Sequence, residues 1–351
     1  MHLLPLTVLL ATAVSASKTG QASNFDVFPS VVASLGCDSL CQANLDQNSA
    51  ADLAVFDTPF DFDFYATASN FSSSSPGDLL KLKPLNGTAL DIPGGYISSA
   101  ANANDVYWSV VAARNTFPAA FTHEWVSIGH SQGGGAVYKL SEPKLVQDKA
   151  SGYLGGVSIA PVAKIYDSLL QAVTSLGDGA SGGYETVKAF GVLPSLVFGV
   201  QTLFPNYTAP FLAESMRQRM QLARKGQYCD VALSGIVADL SVNDLIGNFT
   251  ATDAAVLQRF QEINAPAQGD TATKPLLLIQ GENDTILPAG NPVRLSLYPG
   301  LDHSAAVGAS APEWLAFIQG LFAGTVNLPR CVNETLTPFD AEHAAAPADD
   351  V

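Results

Sequence analysis

The sequence predicts an α/β fold with a mostly parallel sheet, and three observations carry that expectation. Short β-prone runs alternate with stretches of helical spacing, the order from which such sheets are built. Two runs, "YLGGVSIAPVA" (Tyr153–Ala163) and "PLLLIQG" (Pro275–Gly281), are almost continuously apolar, the pattern of strands covered on both faces. A glycine-rich turn, "IGHSQGGGAV" (Ile128–Val137), stands where one strand should pass into a helix.

Taken in order, the chain opens on an apolar stretch, Leu3–Val14, followed by small residues and a Val14-Ser15-Ala16 cleavage pattern. It is too short to span a bilayer, so residues 1–16 read as a secretory signal. Residues 17–163 read as an N-terminal arm with short helices and the first part of a sheet core. Within them "LLKLKPL" (Leu79–Leu85) alternates like a strand. Val106, Val110, Ala113 and Phe117 then recur at helical spacing, with Pro118 just beyond. "EWVSI" is a short strand carrying Trp125, Val126 and Ile128, and "GGGAVYKL" a helix that Pro143 stops.

Residues 164–268 change character and read as a helix-rich insertion. Its apolar stretch "FGVLPSLVFGVQTLF" (Phe190–Phe204) should break at Pro194. The stretch serves equally as a core helix or as part of a cap over an apolar substrate. Residues 269–325 return to the sheet core with "PLLLIQG", then "VRLSLYPG" (Val293–Gly300) and the helix "APEWLAFIQGLF" (Ala311–Phe322). Residues 326–351 form a tail ending in the unstructured "AEHAAAPADDV".

Composition limits the function classes. A chain of 351 residues with 47% hydrophobic content can build one large core, or a core and a cap. A net charge of −15 argues against nucleic acid and anionic membrane surfaces as partners. Six N-x-S/T triplets, at Asn70, Asn86, Asn206, Asn248, Asn283 and Asn333, agree with a secreted glycoprotein, although such triplets also arise by chance. Four cysteines suggest two disulfides, with Cys37–Cys41 and Cys229–Cys331 the preferred pairing. No CxxC pattern or histidine cluster points to a metal, and no cofactor is expected.

The chemistry centres on the glycine-rich turn. Gly129-His130-Ser131-Gln132-Gly133 fits G-x-S-x-G, which in α/β-hydrolases is a strained strand-to-helix elbow presenting a serine hydroxyl. The pattern is weak by itself in a chain with 29 glycines, and Gly179-Ala180-Ser181-Gly182-Gly183 matches it too. Only Ser131 has a strand before it and a helix after it. The competing reading is a structural glycine turn. A serine nucleophile needs a base, and only five histidines are available. His2 lies in the signal, His343 in the tail and His123 ahead of the elbow strand, while His130 sits inside the elbow, lining its wall or pointing away. His303, in "YPGLDHSAA", remains. Asp284, in "LLLIQGENDTILP", stands at a strand end between the two, with Glu282 and Asp302 as alternatives. Ser131, Asp284, His303 is the chain order of an α/β-hydrolase triad. The backbone N–H of Gln132 is the candidate oxyanion donor, and Gly134 and Gly135 would allow close helix packing.

The segments "DVYWSVVAARNTFP", "WVSIGHSQGGGAVY", "GYLGGVSIAPVA", "QGENDTILP" and "YPGLDHS" together resemble the secretory lipase family of fungi and related bacterial esterases, over most of residues 60–325. The resemblance implies an α/β-hydrolase with a helical cap that cleaves carboxylic esters of acylglycerols and similar lipids. It implies Ser131 as nucleophile, Asp284 as acid and His303 as base; with the signal stretch and no other run long enough to cross a membrane, the expectation is a secreted monomer without a stable membrane anchor. The chain departs from the family between "PLNGTALDIPGG" and "YISSAANANDVYWSV", where family members carry several strands and an H-G oxyanion loop. Internal segments are missing here, which implies an incomplete sheet and leaves "DIPGGY" (Asp91–Tyr96) as the only upstream stand-in for the second donor.

Overall fold

The computed structural model describes residues 29–55, 97–176, 184–226, 228, 230–270, 272–281, 293–328 and 331–339. Outside these residues fall the signal, the Leu79–Leu85 strand, "DIPGGY", Ser181, Cys229, Glu282, Asp284, and the triplets at Asn70, Asn86 and Asn283.

The described strands form one five-stranded sheet in the order β1-β2-β3-β4-β5, where β1 is Trp125–His130, β2 Tyr153–Ile159, β3 Leu276–Gly281, β4 Val293–Tyr298 and β5 Val332–Thr335. Every pairing is parallel. Parallel strands need crossovers, and helices supply those between β1 and β2, β2 and β3, and β4 and β5, while the β3–β4 connection lies outside the described residues. The period of two is plain on β3. Leu276 and Leu278 join Val137 and Tyr138 of the Gln132–Leu140 helix on one face, while Leu277 and Ile279 meet Phe317 and Leu321 of the Ala311–Ala323 helix on the other. All six residues of β3 are buried. That double cover is why the run reads as continuously apolar.

Two features differ from the sequence reading. The opening of the expected tail supplies β5, paired with β4 from Arg294↔Val332 to Leu297↔Thr335. Its residues alternate half-buried and exposed, as an edge strand should. In the apolar stretch the break falls at Gly191–Val192, since Pro194 sits in the first turn of the Leu193–Leu203 helix. There its missing N–H costs nothing and its fixed φ suits the helix start.

Between β2 and β3 the chain builds a separate helical body, including Ile165–Leu176, Leu193–Leu203, Glu214–Gly226 and Ala251–Asn264. Its core holds Phe190, Leu196, Phe211, Met216, Leu222 and Phe260. The N-terminal helices, Pro29–Ser34 and Ser39–Val55, also belong to it: Val32, Cys37, Cys41 and Leu45 are buried there and not against the sheet. Cys37 and Cys41 form a disulfide with Cα atoms 5.1 Å apart. Beside it, buried Arg219 grips Asp239 through two guanidinium nitrogens at 2.6 and 3.1 Å and donates to Gly36 O at 3.1 Å. Cys331 is an exposed thiol, and Cys229, its expected partner, lies outside the described residues. Among the described residues no helix is long and apolar enough to cross a membrane.

Candidate active site

Ser131 occupies the turn between β1 and the Gln132–Leu140 helix at φ 57° and ψ −119°. A non-glycine residue there is held against its steric preference, and such strain persists only where neighbours impose it. The neighbours are backbone groups from the end of β2. The Ser131 N–H donates to Ile159 O at 2.9 Å, and its carbonyl accepts from Val162 N at 3.1 Å and Gly135 N at 3.0 Å. Ala160, between those two β2 contacts, is itself at φ 45°. Strained residues at the carboxyl ends of adjacent strands thus brace one another.

The glycines divide sharply in role. A Cβ on Gly129 would lie 2.2 Å from Gly133 O, so the strand could not pass under the helix. One on Gly134 would come within 2.6 Å of Ile159 O, and one on Gly135 within 2.7 Å of Val162 O. Gly133 is different: a methyl there meets nothing within 4 Å. Ser158, buried in β2, donates to Gly134 O at 2.8 Å and fastens the helix start to the sheet. Gln132 is the first helical residue, and the first four N–H groups of a helix have no acceptor within it. Its N–H is therefore oriented with the helix dipole toward whatever sits above the Ser131 turn.

His303 follows β4 in the loop before the Ala305–Ala309 helix, and the structure brings it to the elbow. His130 Nε2 is 2.9 Å from the His303 carbonyl oxygen, and the two imidazole rings lie 4.7 Å apart at 45°. Of the two orientations open to His130 from sequence, its ring forms part of the wall. Asp302, an alternative acid, is committed elsewhere: its Oδ1 accepts from Ser304 N at 3.1 Å and Ala305 N at 2.8 Å, closing the turn into the next helix. Asp284 and Glu282 lie outside the described residues. Asn206, Asn248 and Asn333 are exposed, as glycan acceptors must be. A cleft of about 440 Å³ opens in the helical body beside Tyr207, Leu212, Arg217, Met220 and Arg224, and no residue of the elbow lines it.

The overall fold is similar to that of solved structures. The X-ray structure of Candida antarctica lipase A aligns over 72% of this chain and 62% of its own, with a TM-score of 0.50 and 14% identity. The same lipase in its closed state gives 0.52 and 16% over the same shares. The fold is α/β-hydrolase-like. The rice cell wall degrading esterase LipA from Xanthomonas oryzae aligns over equal shares at a TM-score of 0.40 and 14% identity. This chain spans 62% of the length of each of these proteins. No family model matches the sequence, and no curated protein does. In an α/β-hydrolase-like sheet the carboxyl ends of the strands are where ligands bind, and Ser131 and His303 both stand there.

The residue that sequence reasoning undervalued is His130. Its contact partner is 173 positions away, so no local pattern could have revealed the pairing.

Proposed function

We propose that this chain is a secreted serine hydrolase that cleaves carboxylic esters of lipid-like substrates through an acyl-enzyme. The observation that carries the reading is the strained Ser131 turn with the His303 loop laid against it. Ser131 Oγ attacks the ester carbonyl while His303 takes its proton, and the imidazolium returns that proton to the departing alcohol. Water then attacks the acyl-enzyme, with His303 again as base. Asp284 orients the imidazole and stabilises its charged form. The Gln132 N–H receives the developing oxyanion, and the Gly94 or Gly95 N–H in "DIPGGY" is the second donor. Residues 164–268 cap the site, and their apolar helices favour an acyl chain over a polar acyl group.

The deciding experiment is labelling with a fluorophosphonate, wild type beside Ser131→Ala. An adduct mapped to the Ser131 peptide and absent from the variant supports the reading; an adduct on Ser181, or none, ends it.

A second reading, a hydrolase fold that binds apolar esters without turnover, has one observation in its favour. Among the described residues β1 pairs only with β2, and its Ile128 is exposed. Losing one oxyanion donor lowers rate by about 10²–10³. We therefore expect p-nitrophenyl butyrate turnover below the ordinary range of about 1–10³ s⁻¹. Turnover within that range would discard the binding-only reading.

A further inference from the structure

His303 has to act far from its own strand. In the order β1-β2-β3-β4 three strand spacings separate β4 from the elbow strand, about 14 Å at ~4.8 Å each. The loop after β4 must lean across the carboxyl ends of β3 and β2 to reach Ser131. Its local ties set its shape: Leu301 N donates to Tyr298 O at 3.4 Å, and Asp302 closes the turn onto Ser304 and Ala305. Gly281 at the end of β3 lets it approach, since a Cβ there would lie 2.2 Å from Leu301 O. At the elbow the loop meets His130.

The contact is specific in its chemistry. A carbonyl oxygen only accepts, so His130 Nε2 must carry the proton in the 2.9 Å bond to His303 O. The same imidazole rests against the His303 ring at 4.7 Å. One side chain therefore holds both the main chain and the ring of the residue in the base position. It is also covalently next to Ser131, so any movement of the strand end carries both partners together.

We propose that His130 is a positioning residue, tying the His303 loop to the nucleophile elbow through its Nε2–H. The inference rests on the serine hydrolase reading above. Two substitutions separate the hydrogen bond from the ring. His130→Gln keeps an N–H donor at comparable reach and loses the ring, whereas His130→Phe keeps a ring and loses the donor. In His130→Phe, kcat for p-nitrophenyl butyrate falls about 10–100-fold with KM little changed, as displacing a reacting group by an ångström does. The rate of fluorophosphonate labelling falls in parallel, and His130→Gln recovers most of both. A purely structural role would instead lower thermal stability in both variants and leave kcat per folded molecule at the wild-type value. His130→Phe working at the wild-type rate, or His130→Gln no better than His130→Phe, overturns the proposal.

Amide hydrogen exchange over residues 299–305 gives a readout independent of turnover. Protection falls in His130→Phe and is restored in His130→Gln. If wild type neither labels nor turns over, the hydrolase reading fails by itself, and unchanged exchange in His130→Phe shows separately that the tie is absent.

Discussion

The elbow end of the sheet and the helical body are held in shape by different means. At the elbow, backbone meets backbone: Gly129 under Gly133, Gly134 on Ile159, Gly135 on Val162, with main-chain hydrogen bonds closing the gap. In the helical body, side chains do the work, through a core of Phe190, Phe211, Met216 and Phe260, reciprocal caps, and the Arg219–Asp239 pair. The difference follows from what each must provide. A residue held in a strained turn has to be fixed closely by its surroundings, and backbone packing has no rotamers through which to relax. A helical body with its own core needs volume and hydrogen-bond satisfaction, which many side chains can meet. Sensitivity to a single added methyl should therefore be far higher at the elbow.

Gly129→Ala should show the largest effect. Its new Cβ would sit 2.2 Å from one backbone atom and 2.4 Å from another, neither of which can swing away. We expect destabilisation in the exceptional class above about 4 kcal/mol, read as a collapse of the urea midpoint or failure to fold. A fully stable Gly129→Ala protein would show that the strand and helix are not in contact there.

Arg219→Met tests the helical body with the next largest effect. Arg219 and Asp239 are only 3% and 8% exposed at their side chains, so removing the guanidinium strands a buried carboxylate. The expected cost is about 3 kcal/mol. Adding Asp239→Leu should return most of it, because a hydrophobic pair fills the space without a charge to desolvate. A double variant no better than the single would mean that the Arg219 bonds to Gly36 and the disulfide segment carry the stability.

The sequence made the sheet legible where burial is two-sided. β2 and β3 stand out as apolar runs because helices cover both faces of the sheet. β5 escaped because Val332–Thr335 is short, polar and at an edge, a pattern shared with any loop. The packing partner of the N-terminal helices was not legible for a related reason. Their few apolar residues announce burial but not the partner, and the partner is a body more than a hundred residues away. At the candidate site, the Ser131 turn was legible because strain demands small residues around it, and His303 was singled out as a candidate base because so few histidines compete. The His130–His303 contact was not, since a histidine inside an elbow carries no mark of which way its ring turns.

A moderate effect is expected at Asp253, whose reciprocal cap closes the helix Ala251–Asn264. Its Oδ2 accepts from the Thr250 N–H at 3.0 Å, and its Oδ1 accepts from the Tyr207 hydroxyl at 2.7 Å. Burial alone would raise this carboxyl, but the Thr250 and Tyr207 hydrogen bonds outweigh it and hold it below the ordinary aspartate range. A depressed folded value means the unfolded chain binds the proton more readily as pH falls. The contribution is thus present above about pH 4, the unfolded value, and is lost as pH drops through the folded one. Asp253→Ala should cost about 2 kcal/mol at pH 7, with the gap to wild type narrowing below pH 4. A gap independent of pH would assign the effect to packing and not to charge.

The smallest effect, and the sharpest test of the contrast, is Gly133→Ala. It lies within the same run of glycines and at the same helix start as its intolerant neighbours. Yet its position is exposed and an added methyl finds open space within 4 Å. Glycine inside a helix is less favourable than alanine by up to about 1 kcal/mol, because the unfolded glycine has more conformations to lose. Gly133→Ala should then leave the melting temperature unchanged or raise it by a few degrees, while Gly134→Ala, 2.6 Å from Ile159 O, lowers it steeply. Equal losses at the two positions would mean that the whole turn, and not the line of strand-to-helix contact, requires glycine. The measured order of the two would locate that line to a single residue.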